Sequence, residues 1–182
     1  MTRIIKTANE GYLEESLDLV ETVFTDSEGA DSGKLVRSLV EEIRSKRFYV
    51  PELDLVMTDE ENHIIGLAIF SRFHLDGKYE NQLLLLSPVA VKTELQRQHI
   101  SKDLIEAGFE KAKALGYEAV IVEGNPQNYN SRGFKTSYPH GIVASLKIGL
   151  PAVECLMVKE LVAGALSDIK GTVDYSDYEC LQ

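Results

Sequence analysis

Apolar residues recur at three- and four-residue spacing twice near the start of the chain. Leu13, Leu17, Val20 and Phe24 fall on one face of a helix predicted over residues 12–24. Leu35, Leu39, Val40 and Ile43 repeat the pattern over 35–43. The polar, glycine-bearing stretch 27–33 between them predicts a loop, and Pro51 ends any helix before it. Ahead of both, alternation over 3–7 predicts a short first strand.

The period then changes. Residues 53–58 and 64–73 read as strands joined by the turn Asp59-Glu60-Glu61-Asn62, which makes a hairpin. Residues 74–81 are polar and contain Gly77, so they form a connection. The strongly apolar run 82–91 predicts a central strand, yet Pro88 lies inside it; a residue without an N–H interrupts the pairing there. Leu104, Ile105, Ala107, Gly108, Ala112 and Leu115 give an amphipathic helix over 102–115, with Gly116 placed to terminate it. A short buried strand over 119–122 follows, then a Gly-, Asn- and Pro-rich stretch over 124–133 with room for a short helix, then a strand over 154–160. Beyond Gly164 the pattern supports a helical turn and a short strand near 172–175. Two helices, a hairpin and strand–helix–strand describe an α/β sandwich around a mixed sheet.

Composition narrows the function classes. The chain has 182 residues, of which 44% are apolar or aromatic, and this predicts one domain with its core in 1–160 and a C-terminal extension over 161–182. The longest apolar runs, such as 83–86 and 119–122, fall far short of a membrane span, and the N-terminus lacks the apolar core of a secretory signal. The two cysteines, Cys155 and Cys180, have no metal-type spacing, so neither a disulfide framework nor a metal site is expected and a reducing, cytoplasmic setting is. A net charge of −10 argues against nucleic acid as a partner and favours a cationic one such as an amine, although acidic surfaces also serve solubility. A homodimer stays open.

The candidate chemistry lies between residues 83 and 134. Val89-Ala90-Val91 ends the central strand. A short polar loop leads to Gln96-Arg97-Gln98-His99-Ile100-Ser101, immediately before the helix, with Lys102 at its start. Unpaired N–H groups at a helix N-terminus hold a phosphate or pyrophosphate, and Arg97 and Lys102 add charge. By itself such a stretch is a common feature of helix starts. Downstream, Tyr129 stands four residues before Gly133-Phe134.

These features together resemble the GNAT superfamily of acetyl-CoA-dependent N-acetyltransferases. Its signature is a strand followed by Gln/Arg-x-x-Gly-x-Gly/Ala opening a helix; Gln96 matches the first position. The segment 124–134, Pro51-Glu52-Leu53 and His140-Gly141-Ile142 look most like the predicted acetyltransferases of the YhbS type. The resemblance implies an α/β (α+β) fold, a mixed, mostly antiparallel sheet with helices on both faces, with acetyl-CoA as acyl donor and direct transfer to a primary amine of a small molecule or peptide. It places the backbone N–H of Val89 at the thioester carbonyl. Val91 and its neighbours would lie along the pantetheine arm, and residues 96–102 around the pyrophosphate. Tyr129 becomes the catalytic residue that protonates the departing thiolate.

Both signature glycines are replaced, by His99 and Ser101. With helical dihedrals at these positions, no left-handed backbone is needed and side chains are tolerated. The replacements also keep an alternative in view, a non-catalytic acyl-CoA-binding or regulatory module. The general base is not legible: Glu80, Glu123, His74, His140 and a relayed water all remain candidates. Cys155 reads as part of an apolar strand without a neighbouring base, so a covalent acyl-enzyme is not expected.

Overall fold

The computed structural model describes residues 2–182. In chain order it contains β1 (Ile4–Thr7), α1 (Leu13–Glu28), α2 (Ala30–Ser45), β2 (Asp54–Thr58), β3 (Ile64–Arg72) and β4 (Leu83–Val91). Then come α3 (Ile100–Ala114), β5 (Ala119–Glu123), α4 (Pro126–Tyr129), β6 (Lys135–Thr136), β7 (Ile142–Ala144), β8 (Leu156–Glu160) and β9 (Gly171–Val173). Seven strands form one sheet in the order β1-β2-β3-β4-β5-β8-β6, and β7 and β9 form a separate parallel pair. Within the large sheet β4 and β5 run parallel while the other neighbours run antiparallel. This is the mixed sheet that the patterning predicts, mostly antiparallel as the family resemblance implies.

Alternation along the strands sends each apolar set to a different layer. Leu67 and Ile69 of β3 pack with Leu17, Val20, Val40 and Ile43 of α1 and α2, whereas Ala68 and Phe70 face Leu104, Ile105 and Phe109 of α3. Leu84 and Leu86 of β4 join the α3 layer, while Leu83 and Leu85 join Ile121, Val158, Leu166 and Val173 on the opposite side. The C-terminal residues thus roof the β5–β8 half of the sheet, beside α1 and α2. Two glycines let α3 lie close to the sheet. A Cβ on Gly108 would overlap the Phe70 ring, and one on Gly66 would sit 2.6 Å from Ile100 Cγ2.

The loop expected over 27–33 is not there. α1 runs through Glu28 and α2 begins at Ala30, so Gly29 alone joins them, at φ 101°. Polar composition misled because the residues of this stretch lie on exposed helix surface, where polarity carries no breaking signal. Gly33 belongs to α2, where a Cβ would overlap the Thr25 side chain; it permits helix packing and makes no turn. The strand expected from 154 begins at Leu156, after a turn of 3₁₀ helix over Val153–Cys155, so Cys155 sits in a turn, half-buried and unpaired, and not in a strand. Strands β6 and β7 are too short to carry a legible alternation. No helix among the described residues is long and apolar enough to cross a membrane.

Candidate active site

Strands β4 and β5 pair over three residues only, Leu83 with Ala119, Leu84 with Val120 and Leu85 with Ile121. Beyond that point β4 stays with β3, and β5 stays with β8 out to Glu123. The local cause lies in β4, where the register against β3 shifts between Ala68 and Phe70, opposite Ser87 and Pro88. Proline has no N–H for the ladder, and a one-residue bulge bends the strand that carries it. Residues 86–91 are therefore left without a strand partner on the β5 side, and a cleft opens at the split.

One end of the cleft, about 630 Å³, is lined by Val89, Ala90, Val91 and the start of α3, together with Tyr129 and Arg132. Gln96, Arg97, His99, Ile100 and Ser101 line it as well. The first helical bond runs from the Asp103 N–H to the His99 carbonyl; among the described residues the N–H groups of 97–102 donate to no protein acceptor. Gln98 and Lys102, also expected here, turn elsewhere. Arg3 donates to the Gln98 carbonyl at 2.8 Å and to its Oε1 at 2.9 Å, and Lys102 reaches Glu106 at 3.5 Å.

Ser101 lies inside α3 with helical geometry, but His99 does not. It is the N-cap at φ 66°, and Arg97 two residues earlier has φ 62°. Position 99 therefore does require the left-handed backbone that glycine adopts without cost, and a histidine side chain occupies it.

Tyr129 ends α4, which Asn125 caps by accepting the Gln127 N–H at 3.0 Å. The Tyr129 ring stands edge-on to Phe134, 5.7 Å between centroids, and lies against the backbone of Gly124. Burial raises its pKa, opposed by the nearby Arg132 charge, so the phenol stays protonated. Among the described residues no protein group hydrogen-bonds its hydroxyl. Arg132 donates to Ser101 Oγ at 2.9 Å and to the Asn128 carbonyl, and its Nε is buried without a partner. Sequence reasoning passed over Arg132, although it directly precedes the Gly133-Phe134 pair.

The other end of the cleft opens on a cavity of about 400 Å³. Leu85, Leu86 and Ser87 of β4 line it, with Glu123 at the end of β5, Leu39 and Ile43 of α2, and residues of the C-terminal segment. Glu123 accepts a hydrogen bond from the Tyr175 hydroxyl at 2.7 Å. Burial, and then the Glu123 charge, raise the Tyr175 pKa, so that hydroxyl remains a donor. The other base candidates are placed elsewhere. Glu80 pairs with Arg47, His74 Nε2 contacts Asp177 at 2.6 Å, and His140 lies beside Lys170 in a separate depression.

A split parallel pair, unpaired N–H groups at the next helix and a protonated tyrosine at the mouth are on one cleft. The acetyltransferase (GNAT) family model matches residues 17–135. The chain belongs to the GNAT acetyltransferase family. It is 30% identical over 141 residues to the N-acetyltransferase YhbS of Escherichia coli, covering 77% of this chain and 80% of that one. It is 31% identical over 131 residues to the N-acetyltransferase YjhQ of the same organism, covering 71% and 70%. The crystal structure of Escherichia coli YhbS in complex with CoA superposes with a TM-score of 0.79 at 25% identity, covering 95% of this chain and 89% of that one. A GNAT acetyltransferase from Brucella melitensis in complex with acetyl-CoA shares the fold, with a TM-score of 0.64 at 22% identity, covering 74% and 83%.

As a GNAT N-acetyltransferase the protein takes acetyl-CoA as its acyl donor. The cleft suits such a ligand on its own geometry. A run of free N–H groups at a helix start attracts a pyrophosphate. Arg132, on the same lining, keeps a buried Nε without a partner.

Proposed function

We propose that this GNAT enzyme acetylates a primary amine, of a small molecule or a peptide, by direct transfer within the split between β4 and β5. The observation that carries this reading is the break between β4 and β5, which has a helix start with free N–H groups on one side and a cavity bearing Glu123 on the other.

Acetyl-CoA supplies the thioester carbonyl and the thiolate leaving group. The N–H groups of 97–102 with Arg97 and Arg132 hold its phosphates, and His99 and Ser101 border them. The free edge of β4 at Val89, Ala90 and Val91 offers N–H and C=O groups to an extended amide chain, as an added strand would use them. The Val89 N–H is the donor available to charge developing on a carbonyl oxygen. The Tyr129 hydroxyl, protonated and without a protein partner, donates to sulfur. Two unpaired cysteines fit a reducing, cytoplasmic setting.

Calorimetry with CoA and acetyl-CoA, followed by thiol release against a panel of amines, tests the proposal. Coenzyme binding with acceptor-dependent thiol release is expected. Tight coenzyme binding without release for any acceptor would favour the regulatory module, to which the strained His99 lends some weight.

A further inference from the structure

Resting on the acetyl-transfer reading above, we propose that Glu123 is the general base, held in place by Tyr175. The acceptor is a monocationic primary amine on a short apolar body.

Register places Glu123 at the reacting end. The last β4–β5 pair is Leu85 with Ile121, so two residues further Ser87 and Glu123 face each other across the opening. Ser87 is two residues from Val89, about 6–7 Å along a strand at about 3.3 Å per residue. The carboxylate next to the split is also next to Tyr129 through the chain, because Gly124 packs on the Tyr129 ring. Acid and base therefore stand at the two ends of one strand-to-helix turn, 123–129.

The charges in the cavity leave one position for one cation. Asp174 accepts the Ser176 N–H at 2.7 Å, and these hydrogen bonds and the nearby Lys147 hold it below the usual carboxylate range. Glu123 meets only the neutral Tyr175 hydroxyl, and among the described residues no cation pairs with it. Of the other elements on this cavity, β8 offers Leu156 and α2 offers Leu39 and Ile43, while the C-terminal part of the chain brings Lys147 and Asp174, a cation and a carboxylate that attract each other. The remaining wall combines apolar Leu85, Leu86, Ile148 and Leu181 with polar Ser87, Ser176 and Gln182. A cavity of about 400 Å³ suits a small ligand, and a second ammonium on it would meet hydrocarbon or the Lys147 cation.

The proton balance closes. An amine arriving as RNH₃⁺ has no lone pair. Glu123 takes one proton, and the freed pair forms the C–N bond as the C–S bond breaks. The electrons of that bond leave with sulfur, which takes a proton from Tyr129; the phenolate is refilled from solvent. The second proton shed by nitrogen, and the one on Glu123, pass to solvent, so one proton is released per turnover.

The experiment uses the full chain with acetyl-CoA and five amines: phenethylamine, hexylamine, spermidine, glucosamine and a tripeptide with a free N-terminus. The apolar monoamines are expected to exceed the others in kcat/KM by about tenfold or more. Glu123→Gln should lower kcat by ~10²–10⁴ and remove the acid limb of the kcat/KM profile, with coenzyme affinity and melting temperature unchanged. By calorimetry the variant should bind phenethylamine about tenfold more weakly, yet bind neutral N-acetylphenethylamine as wild type does. Tyr175→Phe should give a smaller loss with the same pH shape. A preference for spermidine, glucosamine or the tripeptide overturns the substrate class; wild-type turnover and pH profile in Glu123→Gln overturn the base. Coenzyme binding with no acetylated amine overturns both, whereas no coenzyme binding at all overturns the underlying transferase reading instead.

Discussion

A Cβ added to Gly124 would lie 2.6 Å from Cε2 of Tyr129 and 3.2 Å from Cδ2, so the tyrosine ring rests directly on the glycine backbone. The contact fixes where the hydroxyl points, and Phe134 closes the other side of the ring at 5.7 Å. Gly124→Ala should move the ring without touching the phosphate end of the cleft. A displacement of this size is expected to lower kcat by ~10²-fold, with coenzyme Kd nearly unchanged. Steady-state kinetics beside calorimetry checks the split. Tyr129→Phe, which keeps the ring and removes the proton, should lower kcat by ~10²–10⁴.

The left-handed backbone at His99 makes a second prediction. A non-glycine residue there costs about 1–2 kcal/mol, so His99→Gly should raise stability by roughly 1 kcal/mol. For a chain of this length that corresponds to a melting temperature higher by about 2–4 °C. The same variant reports on the ring, since weaker coenzyme binding despite greater stability would assign His99 to a phosphate.

Asp54 is fully buried at the start of β2. Its carboxylate accepts from Arg44 at 2.9 Å and from the Tyr49 hydroxyl at 2.7 Å, and Arg44 also donates to Ser16 Oγ of α1. Burial and the Asp54 hydrogen bond push the Tyr49 pKa up to about 12. Removing one partner leaves a buried charge uncompensated, so Asp54→Ala should destabilise by about 3–5 kcal/mol. Denaturant unfolding at neutral pH measures it, and a loss under 1 kcal/mol would contradict the assignment.

Glu42 of α2 ties down the C-terminal segment that lines the cavity beside Glu123. Its carboxylate accepts the Glu179 N–H at 2.6 Å and the Cys180 N–H at 3.0 Å, and its side chain is only 14% exposed. Burial acts to raise its pKa, but those hydrogen bonds outweigh it and bring the value down to about 2. A folded-state pKa below the ordinary 4.5 means the tether is fully present above that pH and is lost as pH falls toward about 2. Glu42→Gln should speed amide exchange at 179 and 180 at neutral pH and flatten its acid dependence. Acceptor KM should rise while coenzyme Kd holds.

Two features of the proposed site are legible in the sequence because their signals are local. Pro88 announced the break in β4 through a missing N–H, and Tyr129 stood at a fixed spacing from Gly133-Phe134. Other residues needed contacts that composition does not encode. Gln98 and Lys102 look like phosphate ligands in the sequence, but Arg3, ninety-five residues upstream, turns Gln98 away. Glu80 and His74 were as plausible as Glu123 until Arg47 and Asp177 engaged them.

The sequence by itself determined the main helices and the long strands, the interruption at Pro88 and the helix start that follows, because each depends on side-chain period or backbone chemistry within a few residues. Tertiary structure decided the rest. Which carboxylate faces the split depends on a register ending at Leu85 and Ile121 and on a tyrosine fifty-two residues away. Whether position 99 needs glycine depends on the angle at which α3 leaves the loop, set by its packing on Gly66 and Phe70. These are outcomes of long-range packing, and burial of apolar faces, not local propensity, selects among them.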